Sequence, residues 1–160
     1  MSISIGSKVP SATIKCVKDG DVTEIDTAAY LAGKKVILFS VPGAYTPTCS
    51  NTHLPGYVAD AEALKGKGID EIVCLAVNDH HVMKSWAADK GAVGKVTMFA
   101  DGSGVFTKAL GLELDLIAAG LGVRGKRFSM LINDGTVETL DVEPGSGVTV
   151  SGAEACLAKL

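Results

Sequence analysis

At 160 residues, 47% of them apolar and 21% charged, the chain is long enough to bury about two thirds of its extended surface, and a single domain over residues 1–160 is expected. Fifteen basic residues stand against eighteen acidic ones, and no basic run exceeds the pairs Lys34-Lys35 and Lys126-Arg127, which argues against nucleic acid as a partner. No apolar run approaches the ~18 to 20 residues that span a bilayer, so no membrane insertion is expected.

The start, MSISIGSKVPSATIK, has neither the basic-then-apolar order of a secretory signal nor the Arg-rich look of a transit peptide. A cytoplasmic location is the expectation, and a trimmed organellar form would look the same. Alternation in SATIKCV and DVTEI around Lys18-Asp-Gly-Asp21 predicts an N-terminal β-hairpin, because Asp-Gly supplies the positive φ of a tight turn. KKVILFS (34–40), EIVCLAV (71–77), VTMFA (96–100) and FSMLI (128–132) are near-continuous apolar runs of strand length, the pattern of strands covered on both faces. Between the first two, Leu54, Val58, Ala61 and Leu64 fall at helical spacing in a segment from Thr48 to Lys67. Pro55 lacks an amide donor and presses on the Asn51 carbonyl, which predicts a kink there. Further helices are predicted over about 80–89, 105–110 and 152–160. TVETLDV follows FSMLI through Asn133-Asp-Gly135, a second hairpin, so the sheet is mixed. The fold class is α/β: a mixed central sheet flanked by helices, with right-handed crossovers.

Cys16, Cys49, Cys74 and Cys156 contain no Cys-x-x-Cys and no zinc-site spacing. Scattered thiols of this kind are ordinarily small buried apolar residues, and Cys49 can be read as a simple cap-region residue. Its surroundings point further. VPGAYTPTC leaves the carboxyl end of the first buried strand, where reactive groups gather in α/β sheets. With Thr46 as N-cap and Pro47 as first helical residue, the Cys49 sulfur lies among unpaired amides at the positive end of a helix dipole, which favours thiolate over thiol. Pro42, Gly43, Thr46 and Pro47 are rigid or small and hold it in fixed geometry. Cys49 and His53, four residues apart, also fit a Cys-His hydrolase, with His53 otherwise packing the rim of the site. Gly120-Leu-Gly-Val-Arg-Gly125 matches G-x-G-x-x-G but precedes a strand rather than a helix, which removes its dinucleotide reading. Arg124 reads as a surface residue, with a role beside the pocket as the weaker alternative.

Pro42-x-x-x-Thr46-x-x-Cys49 resembles the peroxidatic signature of peroxiredoxins, and PGAYTPTCSNTHLPGY resembles their type II, peroxiredoxin-5-like subfamily. The likeness continues through Val77-Asn-Asp79, Ala100-Asp-Gly102, LGLELDL and Lys126-Arg-Phe-Ser129, so it spans most of the chain. It implies a thioredoxin-like fold with extra elements and thiol-dependent reduction of hydrogen peroxide and alkyl hydroperoxides, with peroxynitrite as a further candidate. No cofactor or metal is implied. By the same resemblance Arg127 is the active-site arginine, Thr46 a donor to the peroxide and Pro42 a shield for the sulfur. Some type II relatives carry a resolving cysteine between the last strand and the closing helix, where this chain has Val150. Cys74 is the next candidate, in a strand whose burial argues against it. The expected partners are therefore a hydroperoxide and an external thiol, glutathione with glutaredoxin or thioredoxin. A second copy of the chain is expected as well, because type II members commonly dimerise beside the active site and LGLELDLIAAGLGV has the surplus of Leu to bury there.

Overall fold

The computed structural model describes residues 2–160. Strands β1 (Thr13–Lys18) and β2 (Asp21–Asp26) form the expected hairpin, with Asp19 at φ 52° and Gly20 at φ 84° as a two-residue turn requires. The Asp26 carboxylate then accepts the Ala29 N–H and starts a short helix, α1 (Thr27–Leu31), which the sequence reading did not anticipate. The succession β3 (Lys35–Ser40), α2 (Leu54–Gly66), β4 (Glu71–Ala76), α3 (His80–Asp89), β5 (Thr97–Ala100) and α4 (Val105–Leu110) follows the predicted alternation. After it come β6 (Glu113–Leu116), a 3₁₀ turn, β7 (Gly122–Gly125), β8 (Phe128–Asn133), β9 (Thr136–Val142) and α5 (Ala153–Ala158).

Seven strands share one sheet in the order β2-β1-β5-β4-β3-β8-β9, with β3, β4 and β5 parallel and the others antiparallel. The sheet is mixed, and the N-terminal hairpin is an addition to its β5 edge rather than a separate layer. Alternation along β3 sends Ile37 and Phe39 to one face and Val36 and Leu38 to the other. The first face is covered by α2, α3 and α5 through Tyr57, Leu64, Trp86 and Ala153, the second by α1 and α4 through Leu31, Phe106 and Leu110.

Two segments depart from the sequence reading. Strands β6 and β7 form a separate two-stranded sheet, so Gly120 to Gly125 is part of a hairpin that leaves Ile117, Leu121 and Val123 exposed. The helix that begins at Pro47 is not one regular α-helix up to Pro55. It widens one turn earlier, over Cys49–His53, where the Leu54 N–H bonds the Cys49 carbonyl five residues back. An α-helical turn would drive the Pro55 ring into the Asn51 carbonyl; the wider turn relieves that contact, and it carries Cys49 and His53 at its two ends.

Candidate active site

Strand β3 ends against β4, with Val41 N–H bonding the Leu75 carbonyl, and the chain turns into the loop that precedes Cys49. Each residue of that loop is held. Arg124 Nη1 donates to the Pro42 carbonyl at 3.3 Å, and Ala44 N–H donates to Asn78 Oδ1 at 2.9 Å. A Cβ on Gly43 would lie 2.8 Å from Arg124 Nη1, so only glycine permits this approach. Tyr45 adopts a left-handed backbone, φ 64°, and its hydroxyl is tied to Ser85 and Asp89 on α3. That conformation stores of order 1 to 3 kcal/mol in a non-glycine residue and persists because the loop is pinned on both sides.

Helical geometry starts at Pro47, and the Thr46 carbonyl accepts the Ser50 N–H, which puts Thr46 at the expected N-cap position. Its side chain acts otherwise. The Thr46 hydroxyl donates backwards to the Gly43 carbonyl at 2.7 Å, which leaves its lone pairs facing the cleft and the first-turn amides uncapped by it. The Trp86 indole N–H donates to Ser50 Oγ at 2.9 Å and fixes the residue beside Cys49.

Cys49 is wholly buried. Arg127, the second residue ahead of Ser129 on β8, is buried as well and donates from Nη2 to Cys49 Sγ at 3.1 Å. Its Nη1 donates to His53 Nδ1 at 2.8 Å. A guanidinium has donors only, so this His53 nitrogen must be unprotonated, and the ring proton sits on Nε2, which donates to the Ser151 carbonyl at 2.9 Å. The Tyr57 hydroxyl donates to the same carbonyl at 2.7 Å. Residues after β9 form a strap whose anchor is Glu143: its carboxylate accepts from the N–H and hydroxyl of both Thr149 and Ser151. Burial opposes the charge on Glu143, but these hydrogen bonds outweigh it and pull the carboxyl down to about 2. Among the described residues no carboxylate lies within ion-pair reach of Arg127.

Burial pushes the His53 imidazole down to about 4, with the Arg127 charge acting in the same direction and the Ser151 carbonyl against it. The unfolded chain therefore binds a proton at this residue that the folded chain refuses, and stability falls as pH drops from about 6.5 toward 4. Carboxylates whose folded values are depressed act below this, so pH 6.5 to 4.5 belongs to His53. Urea unfolding at pH 7, 6 and 5 is expected to lose up to about 1.4 kcal/mol per pH unit in that window. The loss is expected to be absent in His53→Asn.

Above the buried sulfur lies an open cleft of about 600 Å³, lined by Pro42, Thr46, Leu114, Leu116, Arg127 and Pro144 among others. The structure thus gathers Pro42, Thr46, Cys49 and Arg127, and brings Arg124 to the loop they share. His53 is no rim residue; it lies beneath Arg127. Its spacing from Cys49 was visible in the sequence, but nothing there pointed to Ser151. Cys74 is in β4 opposite Phe39, fully buried, and burial pushes its thiol well up. Cys156 is half-buried on α5, 3.1 Å from the Tyr57 hydroxyl. Cys16 packs on the far face of the sheet, its thiol raised by burial to about 11.

A family model described as Redoxin matches residues 4–157. Peroxiredoxin-2B of Arabidopsis thaliana is 49% identical over 159 residues, 99% of this chain and 98% of that protein. The chloroplastic Peroxiredoxin-2E of the same plant is 47% identical over 99% of this chain and 70% of its own length. Among solved structures, reduced Prx3 of Vibrio vulnificus in complex with hydrogen peroxide superposes with a TM-score of 0.93 at 45% identity, over 98% of each chain. The thioredoxin-like arrangement and these relatives agree with the motif around Cys49, and the chain belongs to the Redoxin family and, within it, to the type II peroxiredoxins, enzymes that reduce peroxides at the expense of a thiol.

Proposed function

We propose that Cys49 is the peroxidatic nucleophile, that Arg127 and the first-turn amide of Cys49 polarise the peroxide, and that Thr46, by accepting rather than donating, orients it. The observation that carries this reading is the Arg127 guanidinium donating to Cys49 Sγ at 3.1 Å at the foot of an open cleft. The thiolate attacks the nearer peroxide oxygen, the O–O bond breaks, and its electron pair leaves with the far oxygen, which takes up a proton as water or alcohol. Sulfur is oxidised by two electrons to the sulfenic acid and the peroxide is reduced by two. Charge moves from sulfur to the leaving oxygen, so donors that reach both ends of the breaking bond favour the transition state over the ground state. Arg127 supplies such donors from a planar fork, and Thr46, whose own proton is committed to the Gly43 carbonyl, faces it across the cleft as an acceptor for the peroxide O–H. Pro42 covers the sulfur from the strand side and limits its access to water.

The sulfenic acid is returned by external thiols, glutathione with glutaredoxin or thioredoxin: one forms a mixed disulfide with Cys49 and releases water, and a second attacks that disulfide at the outer sulfur, leaves as the thiols' own disulfide and frees the Cys49 thiolate. Cys74, deep in β4, is the slower alternative, because its thiol resists ionisation and reaching Cys49 requires the widened turn to open. The chain works as one domain, since strands from both ends of the sequence share one sheet. Its exposed Ile117, Leu121 and Val123, beside β6 of the cleft wall, support a homodimer that covers this edge.

Intact-mass analysis after one equivalent of hydrogen peroxide, without and then with glutathione, tests both steps. A single oxygen adduct that converts to a glutathione adduct is expected, absent in Cys49→Ser. Quantitative loss of two protons with no glutathione adduct, abolished in Cys74→Ser, would assign the second step to Cys74 instead.

A further inference from the structure

Helix α3 grips the turn that carries Cys49 on both of its sides. After the sulfur, the buried Trp86 indole N–H donates to Ser50 Oγ. Before it, the Tyr45 hydroxyl donates to Asp89 Oδ2 at 2.7 Å and lies 2.8 Å from Ser85 Oγ. The single phenol proton is committed to the carboxylate, so Ser85 is the donor in the second bond. The two grips differ in kind. The Trp86 contact lies in the core, where water does not compete for it. Ser85 and Asp89 are exposed and Tyr45 is half exposed, so water replaces their bonds whenever the loop lifts. Tyr45 also has the left-handed backbone, φ 64°, and lifting the loop relieves that strain. A surface latch therefore holds a loop whose own backbone favours release.

The two half-reactions make opposite demands on this loop. A peroxide is small enough to reach the sulfur at the foot of the cleft, and it needs the turn closed with Arg127 against it. A thiol carried on a tripeptide or a protein must come within bonding distance of a sulfur with no exposed surface, which requires the turn to move outward. We propose that Tyr45 is a positioning residue for the return of the thiol: its latch to Ser85 and Asp89 sets how often the Cys49 turn opens, and so how long the sulfenic acid stays where a second peroxide meets it. The inference rests on the role given to Cys49 above. In the open turn the glutathione thiolate attacks the sulfenic sulfur; an S–S bond forms, the S–O bond breaks, and the leaving oxygen takes a proton as water. In the closed turn the sulfenate sulfur attacks another peroxide, whose O–O bond breaks. Sulfur is then oxidised by two more electrons to the sulfinic acid, and the far oxygen leaves as water or alcohol. A tyrosine hydroxyl with no part in this would face water; here it joins two side chains one helical turn apart, on the helix that also fixes Ser50.

Tyr45→Phe keeps the ring and removes both bonds, and Asp89→Ala removes the acceptor from the other side. With the turn closed most of the time, the glutathione reaction and the amide exchange of the turn both scale with the fraction open. Loss of one hydrogen bond of ordinary net strength raises that fraction about fivefold. Each variant is therefore expected to form the glutathione adduct of its sulfenic acid about fivefold faster, by rapid-quench intact mass. Its oxidation by hydrogen peroxide, followed by stopped-flow fluorescence of Trp86, is expected to keep the parental rate. The peroxide concentration that converts half of the protein to a two-oxygen adduct is expected to rise by the same factor, and the double variant to add almost nothing to either single one. A parental adduct rate in Tyr45→Phe, oxidation and adduct formation slowed together, or effects of the two substitutions that multiply, overturn the proposal. Hydrogen exchange of the amides from Tyr45 to His53 in the reduced protein tests the latch without the chemistry: exchange about fivefold faster in Tyr45→Phe is expected, and parental exchange overturns the latch. A parent that gains no oxygen on Cys49 while its turn exchanges as expected overturns the reading of Cys49 itself, and so separates the two failures.

Discussion

Peroxide consumption is expected to disappear when Cys49 is replaced by serine, while the fold survives. A serine Oγ occupies nearly the same place as the sulfur, fills the same fully buried position and still accepts the Arg127 N–H, so neither a cavity nor an orphaned donor is created. What is lost is chemistry: at neutral pH a hydroxyl has no anionic fraction to match a thiolate, and oxygen does not accept an oxygen atom as sulfur does. Glutathione-dependent peroxide removal in a colorimetric assay is the measurement, with a thermal melt to certify the fold. Retention of more than a few per cent of turnover would move the reaction to another residue. The remaining thiols argue against that outcome, because Cys74 and Cys16 are buried with raised values and Cys156 sits behind Tyr57.

The second large effect belongs to Arg127→Ala. Removal of one preorganised donor from a water-excluded site typically costs a hundred- to a thousandfold in rate, roughly 3 to 4 kcal/mol at the transition state. Here the substitution removes two donors, strands the His53 Nδ1 acceptor and withdraws the positive charge nearest the sulfur. The oxidation step, followed by Trp86 fluorescence, is therefore expected to slow by at least about a hundredfold. Arg127→Lys is expected to recover only part of this, since a single ammonium cannot serve His53 and Cys49 with fixed geometry. A rate within threefold of the parent in Arg127→Ala would show that the guanidinium has no part in the reaction.

The local signals in the chain were sufficient for most of the framework. Four continuous apolar runs marked the central strands because both faces of β3, β4, β5 and β8 are covered. Asp19-Gly20 and Asp134-Gly135 marked the hairpins because tight turns need positive φ, and all four residues adopt it. The helices at His80–Asp89 and Val105–Leu110 were legible from spacing alone. Helix α1 was not, being one turn long and set by a single Asp26 cap; nor were β6 and β7, whose Leu-rich and Gly-rich run carries no clear period.

The sequence by itself determined the place of Cys49: a strand end, a rigid loop and a helix start are neighbours in the chain, so the pattern that encodes them is local. Only the tertiary structure decided what touches the sulfur. Antiparallel pairing sets Ser40 opposite Phe128, which carries Arg127 to the mouth of the Cys49 loop from 78 positions away. The pairing of Phe128 with Val142 then lets the Glu143 N–H bond the Arg127 carbonyl, which brings the strap and Ser151 over His53, 98 positions from it. Periodicity reports which face of an element is buried, whereas the partners of a buried polar group follow from strand register between distant segments, and the apolar runs that made the strands legible do not specify that register.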